Sequence, residues 1–346
     1  FQLATQILDP FRNRQWAEAR LAVAQVLVKT SSGAGMVDIV EEAMLLYESR
    51  GDALGLNWGK KIRGDCHVKL GNAFRAEVDY AEAAEGLDME HQGRIQRGET
   101  LLSWGHFLFL LAKFEESTEK LAMALEISRM TRDLHLEGRT QLRQGALLVV
   151  THQWIEANDV LLSSLSIFQR LDDAYHVGEC MLELANIQLE RYFDTDAALK
   201  LIGAAMTEFK KIQHRDGRMA EAYAIVRISE ILFHQNKDAA CQEHIDFALT
   251  TFRAYKDTVG EALCFYTMGL LQTRQHLPQD AQRSFETSYL ILQEHSFHVN
   301  RCVGRTILAY TRLYLNEDVF NLGVVEQFIS RTEDVLESVM DEVFNG

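Results

Sequence analysis

The chain has 346 residues, 47% of them hydrophobic and 25% charged, and its formal net charge at pH 7 is −15. This composition is typical of a folded protein, and the negative charge argues against nucleic acid as the main ligand, because phosphate binding requires a basic surface. No apolar run approaches the ~20 residues of a membrane-spanning helix, and no signal-peptide pattern is present, so we expect neither membrane insertion nor secretion.

The five cysteines are scattered, odd in number and without a Cys-x-x-Cys pair. A secreted disulfide framework has a different pattern, so a reducing compartment is favoured and we predict a cytoplasmic location. The thiols are expected to pack as small hydrophobic groups.

The first predicted element, residues 1–12, falls in register with the second helix of a hairpin whose first helix is absent. From residue 13 to residue 315, two columns of small residues recur with a period near 40. The first column is Ala24, Gly64, Gly105, Gly145, Ala185, Ser229, Gly269 and Ala309. The second follows 19 positions later and is Ala43, Ala83, Ala124, Ser164, Ala204, Ala248 and Ser288. Two columns at one period predict a stack of a single repeated unit.

Each unit reads as two helices. In residues 93–133, apolar residues recur at helical spacing on both sides of a break at Ala112-Lys113. Gly105 has the register of a crossing point between the two helices, where a missing side chain lets the backbones approach. That close approach outweighs the ~1 kcal/mol that glycine costs in a helix.

The turns between units contain a recurring aspartate, which is expected to cap the following helix by accepting a backbone N–H. These turns are Gly51-Asp52, Arg132-Asp133, Asp172-Asp173, Arg215-Asp216 and Lys256-Asp257. The turns inside units are more variable and are predicted at residues 31–35, 71–72, 152–153, 235–236 and 276–278.

The last predicted element, residues 316–346, has eight acidic residues and one base, Arg331. We interpret it as a long acidic helix that caps the array or connects it to something else. Its charge is consistent with a soluble end face or with a basic partner. With this element, the chain is predicted to form about eight helix hairpins.

The units resemble tetratricopeptide repeats, in residues such as Gly64, Gly71, Ala76, Tyr80 and Ala83 of one unit. The departures are a period near 40 instead of about 34, a missing proline after the second helix, and His67 and Leu108 where an aromatic residue is usual. Longer repeats of this sort are similar to those of kinesin light chains, spindle-orientation adaptors, and the sensor arrays of bacterial transcription activators and peptide-responsive regulators. The resemblance implies an all-α, right-handed superhelix with a concave groove, and binding in place of catalysis.

Helical geometry projects one face of the first helices into that groove, with a mainly apolar middle and charged borders. We predict that it binds a protein or peptide ligand, either an amphipathic helix or an extended segment. In the other interpretation, these apolar residues pack against neighbouring helices, and self-association of the array also stays open. The candidate groove residues are Trp58, Lys61, Asp65, His106, Phe109, Arg139, Leu142, Asn186, Tyr223, Glu230, Phe233, Tyr266 and Tyr310.

Other chemistry is not indicated. The carboxylate clamp of chaperone-binding tetratricopeptide domains is missing, because Asp65 follows Lys61 where an asparagine is needed. The segment 55–61 lacks the spacing of a phosphate loop, and His295 with His298 lacks a third metal ligand. No catalytic residue, metal site or cofactor is predicted. The sequence therefore favours a protein-interaction scaffold or adaptor, with a ligand- or peptide-sensing regulatory domain of a larger signalling protein as the alternative.

Overall fold

A computed structural model describes residues 13–30, 35–86 and 91–293. These residues form helices and turns, with no strand among them. The helices are α1 (Arg14–Thr30), α2 (Met36–Ser49), α3 (Ala53–Lys69), α4 (Ala73–Glu85), α5 (His91–Leu110), α6 (Phe114–Thr131), α7 (Leu134–Val150), α8 (Trp154–Arg170), α9 (Ala174–Glu190), α10 (Thr195–Lys210), α11 (Arg215–His234), α12 (Asp238–Tyr255), α13 (Thr258–Arg274) and α14 (Pro278–Gln293).

The helices follow one another as hairpins, in which an odd-numbered first helix is followed by an even-numbered second helix. This confirms the predicted all-α hairpin repeat over the described residues. The predicted elements 1–12 and 316–346, and the eighth hairpin, lie outside the described residues. No described helix is long and apolar enough to cross a membrane.

The described chain falls into two compact units that divide within α7. Unit 1 holds residues 13–143 and unit 2 holds residues 144–293. Each has its own buried clusters. One in unit 1 is built around Trp16, Met36 and Tyr47, and one in unit 2 around Met219, Ile245 and Phe252.

The first column of small residues lies where the helices of a hairpin approach most closely. A Cβ added at Gly64 would stand 2.9 Å from Tyr80 Cε1, and one at Gly105 would stand 2.8 Å from Leu121 Cγ. In unit 2, Gly269 has the same relation to Phe285, at 2.6 Å. The predicted crossing point is confirmed in both units: a large residue of the second helix fills the space that glycine leaves.

The second column is buried as well, with one shift of register. Ala43, Ala83, Ala124, Ser164, Ala248 and Ser288 are fully buried. In the hairpin of α9 and α10, however, the fully buried residue is Ala205, and Ala204 is partly exposed. The inner turn there has four residues, 191–194, where the other inner turns of the described hairpins from α3 onward have three. The extra residue moves the buried position from 19 to 20 residues after Ala185.

Aspartates cap the helices much as predicted. Asp52, Asp133, Asp173 and Asp257 each accept the backbone N–H three residues later, at 2.9 to 3.2 Å. Asp216 was expected to do the same, and this is wrong. The helix α11 already begins at Arg215, and the residue before it is His214, so Asp216 lies within the first turn.

Most turns contain one residue in the left-handed region. In the inner turns these are Gly71, Ala112, His152, Phe193, Asn236 and His276, with φ between 55° and 81°. The repeat thus recurs in backbone conformation as well as in side-chain size, although only Gly71 of this set is glycine.

Candidate functional site

The first helices present the candidate face. Within each unit, first helices of consecutive hairpins contact one another, as α1 does with α3 and α3 with α5 in unit 1, and α9 with α11 and α11 with α13 in unit 2. Their remaining partly exposed side chains form a face on the opposite side of each hairpin from its second helix. We call this the inner face and describe its positions by their distance from the small residue of the first column.

The middle of the predicted groove is buried. At the position three residues before the small residue, Lys61, Leu102, Leu142, Val226 and Tyr266 are 1% to 9% exposed, whereas Leu182 of α9 is partly exposed. The sequence predicts a mainly apolar middle of the groove, whereas most of this column lies in the protein interior. The reason is that adjacent first helices pack closely enough to cover it, as the alternative interpretation proposed.

Polar residues occupy part of the exposed surface. The position one residue after the small residue is occupied by Asp65, His106, Asn186 and Glu230, each partly exposed. Three residues further along each helix lie Val68, Phe109, Leu189 and Phe233, also partly exposed. In these four helices a polar side chain is thus followed by an apolar one, whereas α7 has buried Ala146 and Val149 at these positions and α13 has Leu270 followed by Thr273.

Three predicted residues meet on α3. The Lys61 Nζ donates a hydrogen bond to Asp65 Oδ2 at 2.7 Å and lies 5.3 Å from the centre of the Trp58 ring. Tyr80 of α4 donates its hydroxyl to the other carboxylate oxygen of Asp65, also at 2.7 Å. Burial and the Asp65 carboxylate raise the pKa of Tyr80 well above its ordinary value, so the phenol stays protonated.

A polar link joins consecutive first helices in unit 1. Arg139 Nη1 donates to both carboxylate oxygens of Glu99, 40 residues earlier, at 2.8 and 2.9 Å. On α5, the rings of His106 and Phe109 are stacked with centroids 6.2 Å apart. The predicted residues Arg139, His106 and Phe109 thus belong to the inner face, although the guanidinium of Arg139 is already hydrogen-bonded to Glu99.

In unit 2 the predicted aromatic residues are tied to the hairpins. The Tyr223 hydroxyl donates to Asp257 Oδ2 at 3.0 Å, and its ring lies 4.9 Å from that of Phe252. The Tyr266 ring lies 6.2 Å from that of Phe285. Both tyrosines contribute to the packing of their hairpins, which makes them poor choices for a variant meant to leave stability unchanged.

The remaining predicted residues of unit 2 keep exposed surface. Asn186 Nδ2 donates to Glu183 Oε2 at 3.0 Å, one turn earlier on α9. The Phe233 ring is covered on one side by the Arg274 guanidinium, whose carbon lies 3.9 Å from the ring centre. Tyr310 lies outside the described residues.

The sequence reading missed a buried ionic cluster in the hairpin of α3 and α4. Arg63 donates to both oxygens of Asp79, at 2.6 to 3.1 Å, and Asp79 is 3% exposed. His67 Nε2 lies 3.8 Å from the same carboxylate. Burial lowers the pKa of His67, against the opposing effect of Asp79. The available signal was a pair of opposite charges 16 residues apart, Arg63 and Asp79, at positions where the other described hairpins have no such pair.

These features define the class of protein: an all-α repeat protein, built from helix hairpins whose two helices approach each other most closely at a small residue. Neither a protein-family model nor a curated protein matches the sequence.

Solved structures share the fold. One is a signal transduction ATPase with numerous domains, a STAND protein with a tetratricopeptide repeat sensor from Pyrococcus horikoshii. Its TM-score is 0.53 at 14% identity, over 87% of this chain and 46% of that chain. Another is a Rap protein complexed with competence and sporulation factor, with a TM-score of 0.57 at 13% identity, over 95% of this chain and all of that one. This chain spans less than half the length of the STAND protein.

Proposed function

We propose that this chain is a protein-interaction repeat module that holds a segment of a partner protein on its inner face. The observation behind the proposal is a partly exposed polar pair in each unit, Asp65 with His106 in unit 1 and Asn186 with Glu230 in unit 2, in which each polar residue is followed on its helix by an apolar side chain. The two structural neighbours support a binding role, since one is described as carrying a repeat sensor and the other as complexed with a factor.

The chemistry of the face favours an extended segment over an amphipathic helix. An amphipathic helix docks by burying a continuous apolar stripe, and most of the apolar column that would receive it is already buried here. An extended segment presents backbone N–H and C=O groups, which carboxylate, amide and imidazole side chains can bind. Its own side chains then reach the intervening apolar positions.

The experiment is affinity capture from native lysate with quantitative mass spectrometry. Trp58→Ala and Asn186→Ala each remove an inner-face side chain, one in each unit. Leu45→Ala and Phe247→Ala are matched controls, because these side chains are exposed on the second helices α2 and α12. A partner retained by both controls and lost with an inner-face variant is the expected result. Equal capture by all four folded variants would contradict the proposal.

A second candidate function is a sensor domain of a longer signalling protein. It is favoured by the similarity to the STAND protein, whose repeats are described as a sensor. In this function, the inner face binds a peptide or small molecule and passes the change to another domain. In both functions the chain binds a ligand and catalyses no reaction. Both also place the chain in a reducing compartment. They are separated by whether the captured partner is a stable protein complex or a diffusible ligand recovered by denaturing the purified chain.

A further inference from the structure

The second helices expose a face of their own, opposite the inner face, and one row on it can be followed through the repeat. The row consists of two positions in each second helix, which lie nine and five residues before its buried small residue. Both positions are exposed wherever they are described. We call these positions the outer row. In α6 they are Glu115 and Glu119, in α10 Asp196 and Lys200, and in α14 Gln279 and Arg283. The row is therefore mostly polar, as expected for a solvated surface.

The helix α4 departs from this pattern. Its outer-row residues are Phe74, 50% exposed, and Val78, 39% exposed, one helical turn apart. Leu70, four residues before Phe74, is 44% exposed and lies at the end of α3. Among the other described second helices, the comparable large apolar residue in this row is Ile155 of α8, which is followed by Asp159.

Carboxylates lie on both sides of this apolar pair. The same row has Asp38 in α2 and Glu115 with Glu119 in α6, and these three form no ion pair among the described residues. Ion pairs show that α2 and α6 each lie next to α4. Arg63 lies 3.6 Å from Glu41 of α2 and binds Asp79 of α4. Lys113, directly before α6, lies 3.2 Å from Glu77 of α4 and 4.0 Å from Glu116.

The charge of this face differs between the units. On the second helices of unit 1, α2, α4 and α6, ten carboxylates are exposed against two arginines, Arg75 and Arg129. On α8, α10, α12 and α14 of unit 2, six exposed carboxylates stand against five exposed bases. An apolar pair with acidic borders is thus a feature of unit 1, where a cationic ligand gains both apolar burial and charge pairing.

We propose that the outer row of unit 1 is a second docking surface, which binds a basic amphipathic segment of a partner protein. The apolar side of that segment covers Phe74 and Val78, and its lysines or arginines pair with Asp38, Glu115 and Glu119. The surface lies on the second helices, so this proposal does not rest on ligand binding to the inner face. The two can fail separately.

The test uses the whole chain and a defined probe: a fluorescein-labelled 18-residue helical peptide of leucine and lysine, with a leucine and glutamate peptide as the charge control. Binding is followed by fluorescence anisotropy. The variant F74S/V78S leaves the net charge unchanged, and E115Q/E119Q leaves the apolar pair intact. The matched controls are I155S and D159N/E243Q, which make the same types of change in the outer row of unit 2.

F74S/V78S is expected to weaken binding of the lysine peptide about tenfold, the change that ~1.4 kcal/mol of lost apolar contact produces. E115Q/E119Q is expected to weaken it about threefold and to reduce its salt dependence, since exposed charges are screened. The two controls are expected to match the unaltered chain. Circular dichroism verifies that each variant is folded.

Three results would overturn the proposal. The first is equal affinity of F74S/V78S and the unaltered chain for the lysine peptide. The second is equal binding of the glutamate peptide. The third is light scattering that shows a dimer of the unaltered chain and a monomer of F74S/V78S, because the surface would then be covered by a second copy.

Discussion

The hairpins of the two units share one fold but place different chemistry where their helices meet. Two positions of each hairpin show the difference: the residue directly before the first-column small residue, and the residue 16 positions later on the second helix. In unit 1 these pairs are Val23 with Ile39, Arg63 with Asp79, and Trp104 with Lys120, whose Nζ lies 4.3 Å from the ring centre. In unit 2 the same positions hold Ile228 with His244, and Met268 with Ser284. The hairpin of α3 and α4 in unit 1 therefore has an ion pair at positions that are largely neutral in these two hairpins of unit 2.

The difference shows which positions determine the fold. The small residues recur in both units because the backbones could not otherwise approach. The pair beside them differs in charge and size from hairpin to hairpin. A buried ion pair adds little net stability over an apolar pair of the same size, since desolvation offsets the attraction. It makes the loss of either partner costly, however.

The largest expected effect comes from breaking that ion pair. Arg63→Met leaves the Asp79 carboxylate buried without its main partner and is expected to lower the free energy of unfolding by about 3 kcal/mol. The double variant R63M/D79L should recover most of this loss, and Met268→Leu in unit 2 should cost less than about 1.5 kcal/mol. Urea unfolding followed by circular dichroism measures all three. If R63M lowers the free energy of unfolding by no more than M268L does, the ion pair of Arg63 and Asp79 is no more important for stability than the neutral pair of unit 2.

The next effect should be equal in the two units. Gly105→Ala places a Cβ 2.8 Å from Leu121 Cγ and 3.3 Å from the Leu121 backbone N, and Gly269→Ala places one 2.6 Å from Phe285 Cε1. Each is expected to cost about 1–3 kcal/mol, because the large residue must move.

The matched control for these glycines is Gly203→Ala. Gly203 lies within α10 with nothing within 4 Å of an added Cβ. Alanine is the better helix former, so this variant should gain about 0.5–1 kcal/mol. The same urea unfolding compares the three, and a stabilising G105A or G269A would show that the small-residue column is not required.

A pH effect is expected in the charged hairpin. Burial lowers the pKa of His67 below its ordinary value, so the unfolded chain binds the proton more tightly than the folded chain. The stability from this residue is fully present above the unfolded pKa of about 6.5 and is lost as the pH falls towards the folded pKa. The melting temperature should drop less between pH 7 and pH 5 in His67→Gln than in the unaltered chain. An equal drop would mean that His67 does not titrate differently on folding.

The smallest effect concerns the second pair of unit 1. Lys120→Met removes the ammonium above the Trp104 ring and keeps the apolar stem. A loss of about 0.5 kcal/mol is expected, since the side chains are partly exposed. Urea unfolding monitored by tryptophan fluorescence measures it. A loss as large as that of R63M would mean that the Lys120–Trp104 contact matters as much for stability as the Arg63–Asp79 ion pair.

The sequence predicted the repeat because its main constraint is local and periodic. A small residue every 40 positions has a single geometric cause, and the structure places Gly64, Gly105 and Gly269 at that contact. The register shift to Ala205 was not predicted, since a turn of four residues instead of three leaves no mark in composition.

The candidate face was harder to predict. Helical projection does not say how closely neighbouring first helices pack, and that distance decides whether Leu142 and Tyr266 line a groove or lie in the interior. Contacts between distant residues, such as Tyr80 with Asp65, also depend on the tertiary arrangement of the two helices. Ligand binding at the thirteen predicted residues stays a prediction.

The turns that recur in backbone conformation have a consequence for how such a chain changes in length. Asn236 and His276 stand 40 residues apart with φ of 57° and 58°, each just after a first helix. Removing residues 237–276 would join Asn236 to Leu277 through a turn of unchanged conformation and leave α11 followed by α14. Because such turns have the same conformation, 40-residue segments that begin and end at them can be duplicated or lost by recombination, without a new turn having to evolve at the junction.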